Sequence, residues 1–571
     1  MTEDEAESSS RFNSKEGMRP SLQVKSDRSE SMARTIDQAM KKNPHLADHV
    51  RDWFEVKDSQ PKYMEVLTRD LGRQESIDLI YPLGDPLFVH VYYTPDESHQ
   101  YMSIEPSLSE SDQAKFREAL SMLYTRAMTE KPHKTLQEFE ETIDKLLNEV
   151  IVIVETEGAT GGFRQRRKVA VKKKQFEVIR YFARRNIIYS GRLEPLLHDP
   201  YIEDIHSIGL QDISIVHKIF GPMTTNIKFE TVEELDSYVR SISERMGHPA
   251  SLARPIIDGS LPDGSRLNLV YAGDVSVRGP SFSIRKFAAE PISIIQLIQW
   301  NTLSSLEAAY FWMCLENGMS MFFCGETASG KTSTLNSVFS FIKHDSKVYT
   351  AEDTLEVQVP QDVWQRLGTR DYGPQESQVD MFSLLKAALR SRPNYIIVGE
   401  IRGKEGSVAF QAMQTGHPVL ATFHASTVKK LVQRFSSDPI NVPVTFMDNL
   451  NVTVFQAGVW KEGRFLRRIT SIDEILGYNE ALGGVLTRTV FLWDTSRDEQ
   501  IFKGMNNSYI LEEKIGTKLG YADKRRVYDD LYQRARILER MLEEKITKYE
   551  EVDKVIGAFQ REGVEGLPFS I

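Results

Sequence analysis

The sequence predicts an α/β protein, and three observations predict it. From about residue 292, short β-rich apolar runs recur: "MSMFFCG" (319–325), "KVYTAE" (347–352), "NYIIVGE" (394–400), "PVLATFHA" (418–425) and "NVTVFQAGVW" (451–460). Helical stretches separate most of them, the pattern of a largely parallel sheet covered by helices. A glycine-rich stretch joins the first run to a helical one. Upstream, strand-like alternation is mixed with amphipathic helices. At 571 residues the chain is too long for one core. It is expected to divide into a polar tail (1–44), an N-terminal mixed α/β domain (45–190), a smaller intermediate α+β domain (191–288) and a C-terminal α/β domain ending in helices (289–571).

Composition narrows the function classes. Charged residues make up 27% and apolar residues 40%, as in ordinary soluble globular proteins. The net charge of -10 speaks against a dedicated nucleic-acid binder. Cys314 and Cys324 are the only cysteines, which excludes a disulfide scaffold and a cysteine-rich zinc site and fits a reducing cytoplasm. No apolar run approaches the ~18 residues needed to span a bilayer, and no apolar signal core opens the chain. Contact with a membrane is expected only through partners or a surface patch.

The elements follow in order. The first thirty residues are polar and too poor in large apolar groups to offset their ordering entropy, so they read as a disordered tail. "IDLIYPLGDPLFVHVYYT" (77–94) reads as two strands around a turn. "KTLQEFEETIDKLLNEVIVIV" (134–154) reads as a helix with Leu136, Phe139, Ile143 and Leu147 on one face. The basic run "RQRRKVAVKKK" (164–174) reads as a solvated loop and helix start, with an anionic partner as the alternative. Between 195 and 287, strands surround a helix at 231–247, with Thr231 as N-cap and Glu234 completing a capping box. "KFAAEPISI" (286–294) reads as a hinge into the last domain.

The chemistry starts at "GETASGKT" (325–332), which fits G-x-x-x-x-G-K-[ST] between a strand and a helix. In that setting Gly325, Glu326, Thr327, Ala328, Ser329, Gly330, Lys331, Thr332 and Ser333 form a phosphate cradle. The glycines let backbone N–H groups turn inward, and the helix start adds its positive end. Lys331 supplies a cation for the β/γ oxygens, and the Thr332 hydroxyl is placed for Mg²⁺. A nucleoside triphosphate with magnesium is the expected ligand. Hydrolysis further needs a carboxylate to orient water. Glu400 ends a buried strand in "RSRPNYIIVGEIRG", preceded by Gly399 where an aspartate is usual. "TAEDTLE" (350–356) offers Glu352, Asp353 and Glu356, and "TGHPVLATFHAST" (415–427) places His417 and His424 on either side of a strand.

In this order and spacing the motifs resemble the secretion ATPase superfamily, the hexameric ATPases of type II and type IV secretion, type IV pili and the archaellum. The resemblance runs from about 195 to 480 and rests on the phosphate loop, the acidic box, the "GE" pair and the histidine box. It implies a RecA-like ATPase domain. Glu400 would position the attacking water or the magnesium shell, and Glu352 or Glu356 would act as or assist the general base, with Glu356 preferred. His424 would sense the γ-phosphate, with His417 nearby. The preceding domain would swing over the nucleotide with Arg266, Arg285 and, less surely, Arg254. One departure stands out: the family often reads "GEIRD", whereas this chain has Gly403, with Glu405 close by.

Within the superfamily, the stretch 380–435 and the later "FLWD" look most like the archaellum motor ATPase. That resemblance implies a cytoplasmic homo-hexamer at the inner face of the membrane, using ATP and Mg²⁺ to drive filament assembly and rotation. Its partners would be a polytopic membrane platform protein and other archaellum or pilus motor components, with no nucleic acid. An archaeal pilus-assembly or type II secretion ATPase shares the chemistry. A nucleic-acid translocase on a RecA-like core and a nucleotide-gated binding module are the readings from other classes.

Overall fold

The structure, a computed structural model, describes residues 36–68, 71–72, 76–94, 99–128, 130, 135–155, 168–271, 273–287, 290–370, 374–461 and 464–571. The chain divides between Phe287 and Ala288 into two compact units, each with its own core.

The first unit opens with α1 (Ile36–Lys42) and α2 (Pro44–Lys57), followed by β1 (Lys62–Tyr63), β2 (Asp78–Gly84), β3 (Leu87–Tyr93) and β4 (His99–Ile104). A helical block comes next: α3 (Glu110–Ala127), α4 (Leu136–Val150), β5 (Ile151–Ile153), β6 (Val169–Val171) and α5 (Lys173–Ile187). Then come α6 (Glu194–His198), β7 (Ile202–Ile208), β8 (Ser214–His217), β9 (Gly221–Thr225), α7 (Val232–Arg245), β10 (Ile256–Ser260), β11 (Arg266–Val270) and β12 (Ser281–Arg285).

The expected boundary at 190 is not a division of the sheet. β1–β4 and β7–β12 form a single ten-stranded sheet in the order β1-β2-β3-β4-β9-β8-β7-β12-β11-β10, joined where β4 and β9 pair in parallel at Gln100↔Thr224 and Tyr101↔Thr225. The reason is chemical as well as apolar. The buried Asp199 carboxylate accepts the hydroxyls of Tyr81 (2.6 Å) and Tyr101 (2.9 Å) across that boundary. What does stand apart is the helical block, whose core of Phe116, Leu123, Ile143, Leu147 and Ile179 is its own.

Three further expectations need correction. The tail stops short of residue 44, because α1 begins at Ile36 and buries Ala39; residues 1–35 lie outside the described residues. The helix expected through residue 154 ends at Val150, because its β-branched end Ile151–Ile153 pairs with β6. At α7, the Thr231 hydroxyl accepts the Glu234 amide as expected (3.2 Å), but the Glu234 carboxylate reaches past the cap to the Glu230 amide (3.1 Å). In the basic run, residues 164–167 lie outside the described residues, and Lys172, Lys173 and Lys174 are exposed where α5 begins.

The second unit contains α8 (Ile294–Gln299), α9 (Ser305–Glu316), β13 (Met321–Gly325), α10 (Lys331–Ser337), β14 (Val348–Glu352), β15 (Trp364–Gly368), α11 (Met381–Ser391), β16 (Tyr395–Ile401), α12 (Glu405–Gln414), β17 (Val419–Phe423) and α13 (Val428–Ser436). It closes with β18 (Val452–Lys461), β19 (Arg464–Asn479), β20 (Gly484–Asp494), β21 (Glu499–Phe502), α14 (Val527–Glu543) and α15 (Tyr549–Glu562). Its nine strands run β15-β14-β16-β17-β13-β18-β19-β20-β21. The part from β15 to β18 is parallel, and β19–β21 extend it as antiparallel hairpins. β13, β14, β16, β17 and β18 are the apolar runs read from the sequence, the first four largely buried on both faces; β15, at the sheet edge, lies outside those runs and is only partly buried. α9 is buried from Glu307 to Leu315, as a helix apolar on all sides must be. The helix after the phosphate loop is shorter than its pattern suggests: α10 ends at Ser337, and a 3₁₀ turn (Phe339–Phe341) carries the remaining apolar residues. Cys314 and Cys324 are fully buried packing residues, with thiols pushed well up by burial.

A half-buried histidine, His49, and a buried one, His217, make the first unit acid-sensitive. His49 Nε2 meets His90 Nδ1 at 2.9 Å, and His90 Nε2 meets Asp78 at 2.8 Å. His217 is stacked between Tyr201 and Phe220. Burial pushes both His49 and His217 down to about 4; the neighbouring His90 adds to the effect at His49, and Asp52, Asp78 and Asp199 oppose it. Between pH ~6.5 and ~4 the unfolded chain therefore binds more protons than the folded one, so stability falls as pH falls through that window. The thermal unfolding midpoint is expected to drop between pH 7.5 and pH 5, by about 2–4 °C for each kcal/mol lost. His217→Gln is expected to flatten that dependence, as calorimetry across the range would show.

Candidate functional site

The site is built where β13 turns into α10. β13 is buried along its whole length and delivers Gly325 to the edge of the sheet. A Cβ at Gly325 would lie 2.1 Å from the Gln456 carbonyl oxygen and 2.7 Å from Ser329 Oγ, so only glycine lets the loop turn there. Gly330 has φ 94° and sits against the Gln456 side chain and Arg467. Ala328 takes a left-handed φ of 63°, unusual for a residue with a Cβ. The buried Lys331 folds back so that its ammonium donates to Glu326 O (2.8 Å), as does Ser329 Oγ (2.8 Å). Burial lowers the Lys331 pKa, and the charge of Glu400 works against that.

Glu400 reaches the loop through an irregularity. β16 and β17 pair Val398 with Ala421 and Ile401 with Phe423. Gly399 and Glu400 thus oppose the single residue Thr422, a β-bulge that re-aims a side chain. Thr422 Oγ1 donates to Gly399 O (2.6 Å) and closes the bulge. Glu400 Oε1 lies 2.6 Å from His424 Nε2 at the end of β17, and Oε2 accepts from Arg402 (2.5 Å). Burial, then Lys331, lowers the pKa of His424, with Glu400 opposing, which favours the neutral ring. Glu405 fills the place of the missing family aspartate: its carboxylate accepts the amides of Arg402 (2.5 Å) and Gly403 (2.6 Å).

The acidic box divides its labour. Glu352 is 1% exposed, and its Oε1 accepts the amides of Glu356 (2.8 Å) and Val357 (2.7 Å). Burial pushes its carboxyl up to about 7 against those two hydrogen bonds. It shapes the loop that carries Glu356. Asn336 of α10 holds the same loop, donating to Glu356 O (3.0 Å) and accepting from the Gln358 amide (3.0 Å). This arrangement favours Gly399: a Cβ there would lie 3.0 Å from Glu352 Cγ, so a larger residue would push the buried glutamate aside by a few tenths of an ångström.

The structure separates some of the expected residues. His417 precedes β17 and bonds Thr415 (3.1 Å), whereas His424 follows its other end. At ~3.3 Å per residue the strand holds the two about 20 Å apart, so His417 is not beside the phosphate loop. Arg254, Arg266 and Arg285 belong to the first unit. Arg266 pairs with Asp258 (2.7 Å) and Arg285 with Asp204 (3.1 Å), while the Arg254 amide bonds Ser251. Arg266 and Arg285 stand directly opposite each other on β11 and β12, a like-charge pair that the two aspartates offset.

Sequence reasoning missed Gln456, Arg467 and Asn336. Gln456 Oε1 accepts from Thr334 (2.9 Å), and Arg467 Nε donates to Ala328 O (3.1 Å). No motif marks Gln456 and Arg467, because they come from strands far along the chain, and Asn336, on α10, lies just past the end of the phosphate-loop motif. Arg402, His424, Lys430 and Arg434 also line an adjoining groove of about 480 Å³. The glycine cradle and buried Lys331 fit a phosphate. Among the described residues no group of three or more His, Cys, Asp and Glu is placed to hold a metal. A magnesium ion would be held by Thr332, with Glu400 in or beside its shell, and by the phosphate oxygens, its usual mode with nucleotides.

Comparison with known proteins places these features in context. The family model for "Type II/IV secretion system protein" matches residues 190–442. The chain is 50% identical over 542 residues to the "Uncharacterized protein MJ0900" of Methanocaldococcus jannaschii, covering 94% of this chain and 98% of that one. It is 31% identical to the conjugal transfer protein TrbB of Rhizobium radiobacter, covering 41% of this chain and 73% of that one. Among solved structures, the Legionella pneumophila ATPase DotB aligns with 64% of this chain and 94% of its own at 18% identity and a TM-score of 0.36. Among the described residues no helix is long and apolar enough to cross a membrane.

Gly399→Asp, which writes the commoner acidic pair into the strand, is expected to lower both the unfolding temperature and nucleotide turnover, turnover by tenfold or more. Calorimetry and a phosphate-release assay on the purified variant check it; an active, stable variant would remove the packing explanation.

Proposed function

We propose, for a chain that belongs to the type II/IV secretion ATPase superfamily and is thereby an ATP hydrolase, that its turnover drives assembly and rotation of an archaellum through a membrane platform protein. The observation that carries the catalytic part is the contact of Glu400 with His424 (2.6 Å) beside a buried Lys331. It joins a carboxylate, a neutral imidazole and a cation at one end of the phosphate loop.

The residues act as follows. The amides of 326–333 and Lys331 hold the triphosphate. Glu400 orients the attacking water at the γ-phosphorus, with His424 reporting whether that phosphate is present. Glu356, on the loop shaped by Glu352 and Asn336, takes the proton from that water. Thr332 and Glu400 would hold magnesium, which would supply charge neutralisation for the triphosphate. Arg266 and Arg285, and with them Arg254, approach the γ-phosphate only when their unit closes on it in a homo-hexameric ring. An arginine so delivered is worth about 10³–10⁵ in rate, which couples hydrolysis to movement. The ring works at the inner face of the membrane through partners. The resemblance of residues 380–435 to the archaellum motor ATPase supports the archaellum reading. Pilus assembly or type II secretion would use the same chemistry.

Lys331→Ala and Glu400→Gln are each expected to reduce phosphate release by 10² or more, with Glu400→Gln still binding nucleotide. Turnover that survives both changes sinks the catalytic assignment. In cells, Lys331→Ala in place of the native chain is expected to abolish swimming and archaellum filaments while leaving other pili. Loss of pili with normal swimming would transfer the protein to the pilus reading.

A further inference from the structure

The phosphate loop has two flanks. In the sheet order β16-β17-β13-β18-β19, Glu400 and His424 end the strands on one side of β13, and β18 and β19 lie on the other. A triphosphate whose γ end faces Glu400 leaves its nucleoside end over β18 and β19. There the hairpin presents an unusual surface. Trp460 and Phe465 are opposite each other in register, as are Gly458 and Arg467. Trp460 is 75% exposed and Phe465 41% exposed, with ring centroids 5.5 Å apart. The Phe465 ring lies across Gly458, where a Cβ would come within 2.3 Å of it. The Arg467 guanidinium sits over that ring, 5.3 Å from its centroid, while its Nε holds Ala328 O of the phosphate loop (3.1 Å).

Arg467 is held firmly: Arg468 next to it forms a two-point ion pair with Asp498 (2.8 and 2.9 Å) and also bonds Arg467 O (3.0 Å). A guanidinium plane fixed between the phosphate loop and an aromatic ring is a stacking surface for a flat heterocycle.

We infer that the nucleobase of the bound nucleotide stacks on Arg467, backed by Phe465, with Trp460 at the edge of the same platform. Arg467 then binds one end of the ligand and also sets the Ala328 carbonyl. The inference rests on the phosphate-loop reading and adds to it the place and class of the base-binding surface.

The test compares two ligands on the full chain by calorimetry with magnesium present: ATP and inorganic tripolyphosphate, which lacks a base. Arg467→Ala is expected to weaken ATP tenfold or more and tripolyphosphate less than twofold, with Arg467→Lys between. Tryptophan emission is expected to change with ATP but not with tripolyphosphate, and Trp460→Phe should remove that change. If Arg467→Ala weakens both ligands equally, the arginine is only a strut for the loop and the inference fails, as it does if neither ligand is affected. A native chain that takes neither ligand overturns the phosphate-loop reading along with it.

Discussion

The nucleotide unit depends on one close approach of backbones. Gly325 passes so near the Gln456 carbonyl that a single Cβ would lie 2.1 Å from it. Close-packed interiors do not yield by such distances, so the start of the loop is set by the strand beside it. From that contact the rest follows. Gln456 turns its amide to Thr334, Arg467 catches Ala328, and the loop keeps its turn even with Ala328 in a left-handed conformation.

A second constraint operates on the opposite flank. Glu352 is a carboxyl group in the interior, its acidity weakened by burial and only partly restored by two amide hydrogen bonds. It organises the 353–357 loop through those bonds and sits close against Gly399. The bulge that carries Gly399 also aims Glu400 at His424. The two acidic residues Glu352 and Glu400 thus differ in kind. One is buried and shapes backbone, the other sits in a contact pair at the loop.

The first unit shows the same economy of charge. Arg266 and Arg285 face each other across two strands, which would repel without Asp258 and Asp204. The aspartates hold both guanidinium groups extended on one surface of the sheet. Both pairs reach solvent to some degree, and ion pairs at the surface are worth little.

Much of this was legible in the sequence. The parallel strands, the phosphate loop, the "GE" pair and the histidine box are local patterns, since a strand that is buried on both faces and a loop that must bend at glycine both write themselves into consecutive residues. The sequence could also tell that Thr231 caps a helix. Only the tertiary structure decided that residues on both sides of 190 share one sheet, because strand pairing at Gln100↔Thr224 joins segments far apart in the chain. It alone decided which end of the strand between His417 and His424 meets Glu400, and so which histidine belongs to the site. It alone brought Gln456 and Arg467 to the phosphate site, for neighbours in a sheet are chosen by backbone hydrogen bonding between strands, and no spacing along the chain records which strands will meet.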